Sequence, residues 1–127
     1  NIYGYAKRRS PVNHPSVAFK KSAVLAVGSY KHFPLFEDYY LWVRMLANGA
    51  KFYNIQESLV YFRISPDMFK RRGGWKYVMT EIKFEKKIWD IGFINSFELI
   101  TNIGIRFIVR NIPNQLRAFI YKMIRNV

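Results

Sequence analysis

The chain of 127 residues is long enough to bury one core, and its 50% hydrophobic and 18% aromatic content excludes a disordered segment. It holds no cysteine, which excludes a disulfide framework and any thiolate metal site. Lys and Arg number 21 against 8 Asp and Glu, and the formal charge of +13 attracts nucleic acid, anionic lipid or phosphorylated ligands.

Residues 1–15 are polar and basic, with Lys7, Arg8 and Arg9 followed by Ser10-Pro11 and His14-Pro15. They read as irregular, because proline disfavours helix in the residue before it. Residues 16–19 read as a short strand with Val17 and Phe19 on one face. Residues 20–27 follow as a short helix that Gly28 caps. His14 is either a turn histidine satisfied by backbone or a contact for a ligand, and nothing near it in sequence completes a metal-ligand set. His32 has a weaker case still.

The central stretch is Phe36-Glu37-Asp38-Tyr39-Tyr40-Leu41-Trp42. Two adjacent carboxylates open a helix that runs through Leu41, Trp42, Met45 and Leu46 until Gly49 stops it. Leu41 and Met45, like Trp42 and Leu46, stand four apart and give a broad apolar face. Asp38, four before Trp42, falls at the lip of that face. Acids in a first helical turn are favoured by its unpaired N–H groups and by the macrodipole. The same position suits a carboxylate that takes a proton from a substrate hydroxyl, a general base contributing about 10²–10⁴ in rate. Spacing alone does not choose between them.

Residues 51–55 and 58–64 read as two strands, with Gln56-Glu57 between them as a hairpin turn. Ser65-Pro66-Asp67 signals a further turn. The loop Lys70-Arg71-Arg72-Gly73-Gly74 then sets three cations beside two glycines. Guanidinium forks match phosphate oxygens and glycine lets a loop close over a ligand. A solvated loop on a basic protein has the same composition, and no G-x-x-x-x-G-K pattern is present. Residues 75–91 form a long helix ended by Gly92, residues 94–110 another, and Pro113 opens a last one to about residue 125. No acid follows Glu98, whereas Arg106, Arg110, Arg117, Lys122 and Arg125 do. These tail helices either pack on the domain or lie on a membrane surface with a cationic rim. No run reaches the roughly 18 apolar residues of a membrane span, and no signal-peptide pattern opens the chain. Its first residue is Asn rather than Met, which reads as the start of a processed or cloned piece.

Asn13-His14-Pro15-Ser16-Val17, Val27-Gly28-Ser29-Tyr30, Glu37-Asp38-Tyr39-Tyr40-Leu41-Trp42, Gly49-Ala50-Lys51-Phe52, Leu59-Val60-Tyr61-Phe62-Arg63 and Arg71-Arg72-Gly73-Gly74 occur in that order. In order and spacing they resemble the C-terminal, acceptor-side half of a bacterial family 2 glycosyltransferase with the GT-A fold, over roughly residues 8–125. The resemblance implies an α/β fold, α+β within this chain. Residues 1–74 would be the acceptor-side half of the catalytic domain and residues 75–127 a helical extension, membrane-associated in one reading. It implies Asp38 as the general base, Glu37 as its positioning neighbour, and His14, Arg71 and Arg72 as substrate-binding residues. Where the family often carries another acid two positions after the aspartate, this chain has Tyr40.

The resemblance further implies an inverting transfer of sugar from a nucleotide-sugar to a saccharide, commonly lipid-linked, in bacterial surface polysaccharide synthesis. The expected location is the cytoplasmic face of the cell membrane, peripherally bound. The family uses a divalent metal, Mg or Mn, held by an Asp-x-Asp motif. This sequence contains no Asp-x-Asp, so the metal ligands and donor site are expected outside it, with the chain inactive alone and prone to self-association through exposed strand edges. The alternative from another class is a basic nucleic-acid-binding or membrane-associated assembly module without catalysis, drawing on charge and aromatic content. Nucleic acid is disfavoured, since the aromatics fall mainly on apolar faces and no recognisable nucleic-acid motif is present.

Overall fold

A computed structural model describes residues 1–61 and 74–111, with side chains through Val109. Among the described residues there are five helices, α1 (Ile2–Ala6), α2 (Lys21–Ala26), α3 (Glu37–Ala47), α4 (Trp75–Asp90) and α5 (Ser96–Asn111), with one 3-10 turn at His14–Ser16 between α1 and α2. The last expected helix, from Pro113 to about residue 125, lies outside the described residues, as do the end of the second expected strand and most of the basic loop.

Helix α3 is the centre of the fold, and its burial explains why. Every residue from Tyr39 to Leu46 is buried, Arg44 included, so no side of this stretch faces solvent. The sequence pattern predicts one apolar face; the structure covers the helix all round, as expected for a helix at the middle of a core. On one side Leu41, Trp42 and Met45 pack with Val24 of α2 and with Val12, Val17 and Phe52 from the connecting segments. On the other, Tyr39, Tyr40, Val43 and Leu46 pack with Phe84 and Ile88 of α4 and with Phe93 and Ile94. Phe84 is wholly buried, stacked on Phe36 at 5.0 Å and against Tyr39 at 4.5 Å between ring centroids.

The ends of the helices follow local chemistry. At the end of α3, Gly49 N–H donates to Leu46 O and Ala50 N–H to Met45 O, each at 3.0 Å, with Gly49 at φ +83°. After α4, Gly92 N–H donates to Trp89 O and Phe93 N–H to Ile88 O, with Gly92 at φ +74°. Both are Schellman closures, in which a left-handed residue lets the chain fold back onto the last carbonyls. Helix α5 opens with a capping box: Glu98 N–H donates to Asn95 Oδ1 at 2.8 Å and Asn95 N–H to Glu98 Oε2 at 2.9 Å.

The structure departs from the sequence reading in two places. The first fifteen residues are not irregular throughout, since Asn1 caps α1 through Gly4 N–H and a 3-10 turn begins at His14. Proline sits in that turn's first positions, where its missing N–H costs nothing. Residues 16–19 and 51–55 form no strand, and among the described residues there is none. Val17 is extended, at φ −101° and ψ 138°, but extension becomes a strand only with a paired neighbour. Residues on both sides of position 74 contribute to one core, through α3 and α4.

Candidate functional site

The start of α3 carries the two carboxylates. Glu37 and Asp38 occupy its first turn, and both are half-buried where the helix emerges from the core. Asp38 Oδ1 accepts the Tyr39 N–H at 2.7 Å, satisfying one of the donors that a helix start leaves unpaired. Among the described residues no donor reaches Oδ2. One oxygen of Asp38 is thereby held in the first turn of the helix. Of the two roles suggested by the sequence, this hydrogen bond is the one at the helix start.

One turn further along the same face stands Trp42, fully buried, its indole N–H without a hydrogen-bond partner among the described residues. His14 packs toward it, with 6.1 Å between ring centroids, and Phe19 at 5.7 Å. His14 Nε2 also meets the Tyr30 hydroxyl at 2.9 Å, and the two exposed rings stand edge to face. The 3-10 turn thus brings His14 to the Trp42 face that Asp38 opens. Tyr30 joins this group unanticipated; its place directly after Gly28-Ser29, in a turn leading to the acidic pair, was the available signal. Arg71 and Arg72, the expected phosphate-binding residues, lie outside the described residues.

The turn that delivers Tyr30 is held from inside the protein. Arg44 Nη1 donates to Val27 O and Nη2 to Ser29 O at 2.7 Å, and its guanidinium stacks over Tyr40 at 4.8 Å. Two carbonyls in a left-handed turn, with Ser29 at φ +57°, are thereby satisfied by one planar fork. Sequence reading passed over Arg44 because a cation inside an apolar helical run looks like a surface residue.

A second polar cluster, equally unforeseen, ties the N-terminal segment to the last described helices. Three successive carbonyls at the end of α1 accept side chains: Ala6 O from Tyr39 Oη at 2.6 Å, Lys7 O from Asn102 Nδ2 at 2.8 Å, and Arg8 O from Arg106 Nη2 at 2.8 Å. Arg106 Nη1 also donates to Glu81 Oε1 at 3.0 Å, and Asn102 Nδ2 to Glu85 Oε2 at 2.8 Å. Arg106 Nη2 lies 2.6 Å from Glu85 Oε1, an ion pair although no hydrogen bond forms to that oxygen. Burial raises the Glu85 carboxyl above the usual carboxylate range, and Arg106 and Asn102 pull against that rise. Burial opposes the Arg106 charge, but Glu85 and Glu81 outweigh it and raise its pKa. Burial, reinforced by Glu85, pushes the Tyr39 hydroxyl up as well. Arg106 is thus an internal cation of the fold, not part of a cationic rim on the tail.

Among the described residues no three His, Asp or Glu side chains gather as a metal would require. The described part of the chain therefore does not fit the divalent metal implied by the family resemblance.

With this geometry in place, comparison identifies a class: over nearly all its length the chain is similar to bacterial glycosyltransferases. One is the UDP-Gal:alpha-D-GlcNAc-diphosphoundecaprenol beta-1,3-galactosyltransferase of Escherichia coli, 45% identical over 124 residues that make up 98% of this chain and 45% of that protein. A second is the amylovoran biosynthesis glycosyltransferase AmsE of Erwinia amylovora, 31% identical over 125 residues, 96% of this chain and 46% of the relative. An uncharacterized glycosyltransferase of Haemophilus influenzae is 33% identical over 121 residues, 95% of this chain and 45% of the relative. The chain spans less than half the length of these relatives. No family model and no solved structure matches it.

Proposed function

We propose that this chain is the acceptor-side part of an inverting glycosyltransferase with the GT-A fold. The reaction transfers a sugar from a nucleotide-sugar to a lipid-linked saccharide in bacterial surface polysaccharide synthesis. The carrying observation is Asp38, half-buried at the start of the central helix with one oxygen held by the Tyr39 N–H. The relatives support the reaction class, and the Escherichia coli protein's name specifies a diphosphoundecaprenol-linked GlcNAc acceptor and a β-1,3 product linkage.

In this reading Asp38 Oδ2 takes the proton of the acceptor hydroxyl as its oxygen attacks the anomeric carbon. The bond from that carbon to the nucleotide diphosphate breaks on the opposite side, and the diphosphate leaves with the electron pair. Configuration at the anomeric carbon inverts. Because Oδ1 is held by the Tyr39 N–H, the carboxylate is oriented before substrate arrives, which lowers the ordering cost of the step. Glu37 positions the acceptor beside Asp38. His14, backed by Trp42 and held by Tyr30, contacts the acceptor sugar, and Arg71 and Arg72 stabilise the departing diphosphate. Donor site and divalent metal belong to parts of the enzyme beyond the described residues, and the protein works peripherally at the cytoplasmic face of the membrane.

The test is turnover of the full-length enzyme with UDP-galactose as the first of a panel of nucleotide-sugars and membrane lipid extract as acceptor. Release of nucleoside diphosphate is expected to fall at least about a hundredfold in Asp38→Asn, with the thermal transition retained, as for loss of a general base. Full activity in that variant would reduce Asp38 to a helix cap.

A further inference from the structure

Helix α5 has two opposed faces. Its inner side carries Asn102 and Arg106 into the buried cluster and Leu99 against the core. Its outer side presents Phe97, Ile100, Ile105 and Ile108 at 77%, 71%, 54% and 61% exposure, with Gly104 and Thr101 between them. At 100° per residue Phe97, Ile100, Gly104 and Ile108 fall on one stripe, with Ile105 at its edge. No charged residue lies on this outer stripe. Single exposed apolar residues are ordinary, whereas four large ones aligned on one helix mark a contact surface.

We propose that the outer stripe of α5 is a membrane-contact surface, seated in the interface of an anionic lipid bilayer. From Phe97 to Ile108 the stripe is about 16 Å long, too short to cross a bilayer and suited to lying along one. Consistently, among the described residues no helix is long and apolar enough to span. Charge selects lipid over a second copy of the chain: two molecules each at +13 repel, while an anionic leaflet attracts. The sequence beyond Glu98 contains no acid at all. Arg106 faces inward, so the stripe enters lipid without dragging a charge with it. The proposal deepens the reading above by naming the element that holds the enzyme at the membrane of its lipid-linked acceptor.

The experiment is co-sedimentation of the full chain with vesicles of phosphatidylcholine, with and without phosphatidylglycerol, comparing wild type with the Ile100→Asp/Ile108→Asp double variant. Wild type is expected to bind the anionic vesicles in a salt-sensitive manner, and the double variant at least about tenfold more weakly with its thermal transition kept. Because the sequence has no cysteine, Ile100→Cys and Lys83→Cys each accept one environment-sensitive dye, which covers the case of a double variant that fails to fold. The dye at 100 is expected to shift to the blue on vesicle binding and the dye at 83 to stay unchanged. Equal vesicle binding by the double variant, a shift at 83 but not 100, or absence of vesicle binding by wild type each overturns the proposal. So does a wild-type dimer that the double variant loses while vesicle binding persists, since the stripe would then be an interface between copies. Asp38→Asn should bind vesicles normally, and the full-length enzyme carrying the double substitution should still glycosylate a short-chain, water-soluble acceptor. Failure of the lipid contact and failure of the catalytic reading are thereby distinguishable.

Discussion

Arg106 shows how one residue can hold three segments. It meets the carboxylates of Glu81 and Glu85 on α4 and the Arg8 carbonyl beyond α1, from a position on α5. Removing one member of a buried charge group costs more than never having built the group, because the remaining charges lose their compensation. Arg106→Leu is therefore expected to destabilise the protein by about 3–5 kcal/mol, read from chemical denaturation. Glu85→Gln should behave differently. A raised carboxylate pKa means that the charged form disfavours the fold, so this term's stability is present below the ordinary value of 4.5 and is lost as pH rises through the folded value. The neutral amide removes that pH dependence while leaving the Asn102 contact in reach, and the variant should remain folded at neutral pH.

At the scale of the element, α5 is set by its first turn as much as by its buried face. Asn95 and Glu98 exchange two hydrogen bonds, and Glu98 also meets Lys7 Nζ at 2.8 Å, so the cap of α5 reaches back to the end of α1. The Lys7 hydrogen bond and the Asn95 N–H hold the Glu98 carboxyl below the usual range. For a depressed carboxylate, stability is present above the ordinary value of 4.5 and is lost as pH falls through the folded value. Urea midpoints measured across the acid range should therefore drop with falling pH in wild type and drop less in Glu98→Gln. Asn95→Ala, which removes the other half of the box, should cost about 1 kcal/mol at neutral pH.

Across the whole molecule, stability rests on the seam between α3 and α4. Phe84 fills that seam with no exposure and touches Phe33, Phe36 and Tyr39. Truncation to alanine leaves a cavity that neighbours on separate helices cannot close, so Phe84→Ala should cost about 3–5 kcal/mol. The effect should extend to Asp38, because the start of α3 keeps its place through Phe36 and Tyr39, both packed on the same ring. Glycosyl transfer by the full-length variant should then fall together with the thermal midpoint. Activity retained at wild-type level in a protein melting well below wild type would separate the seam from the site.

Local chemistry was legible in the sequence itself. Apolar spacing and glycine stops placed α2, α3, α4 and α5 within a residue or two of their observed bounds, because helix ends depend on the few residues that compose them. The acidic pair was legible for the same reason, as was its position at the mouth of α3. Tertiary structure decided what each polar side chain faces. Arg44, Glu85 and Arg106 look like surface charges in sequence and are partnered inside, since their partners lie 15 to 98 residues away. It also decided that α1 is tied to α5, that His14 comes to the Trp42 face, and that residues 16–19 and 51–55 form no strand. Those outcomes depend on which segment arrives alongside, and a pattern read along one chain does not contain its neighbours.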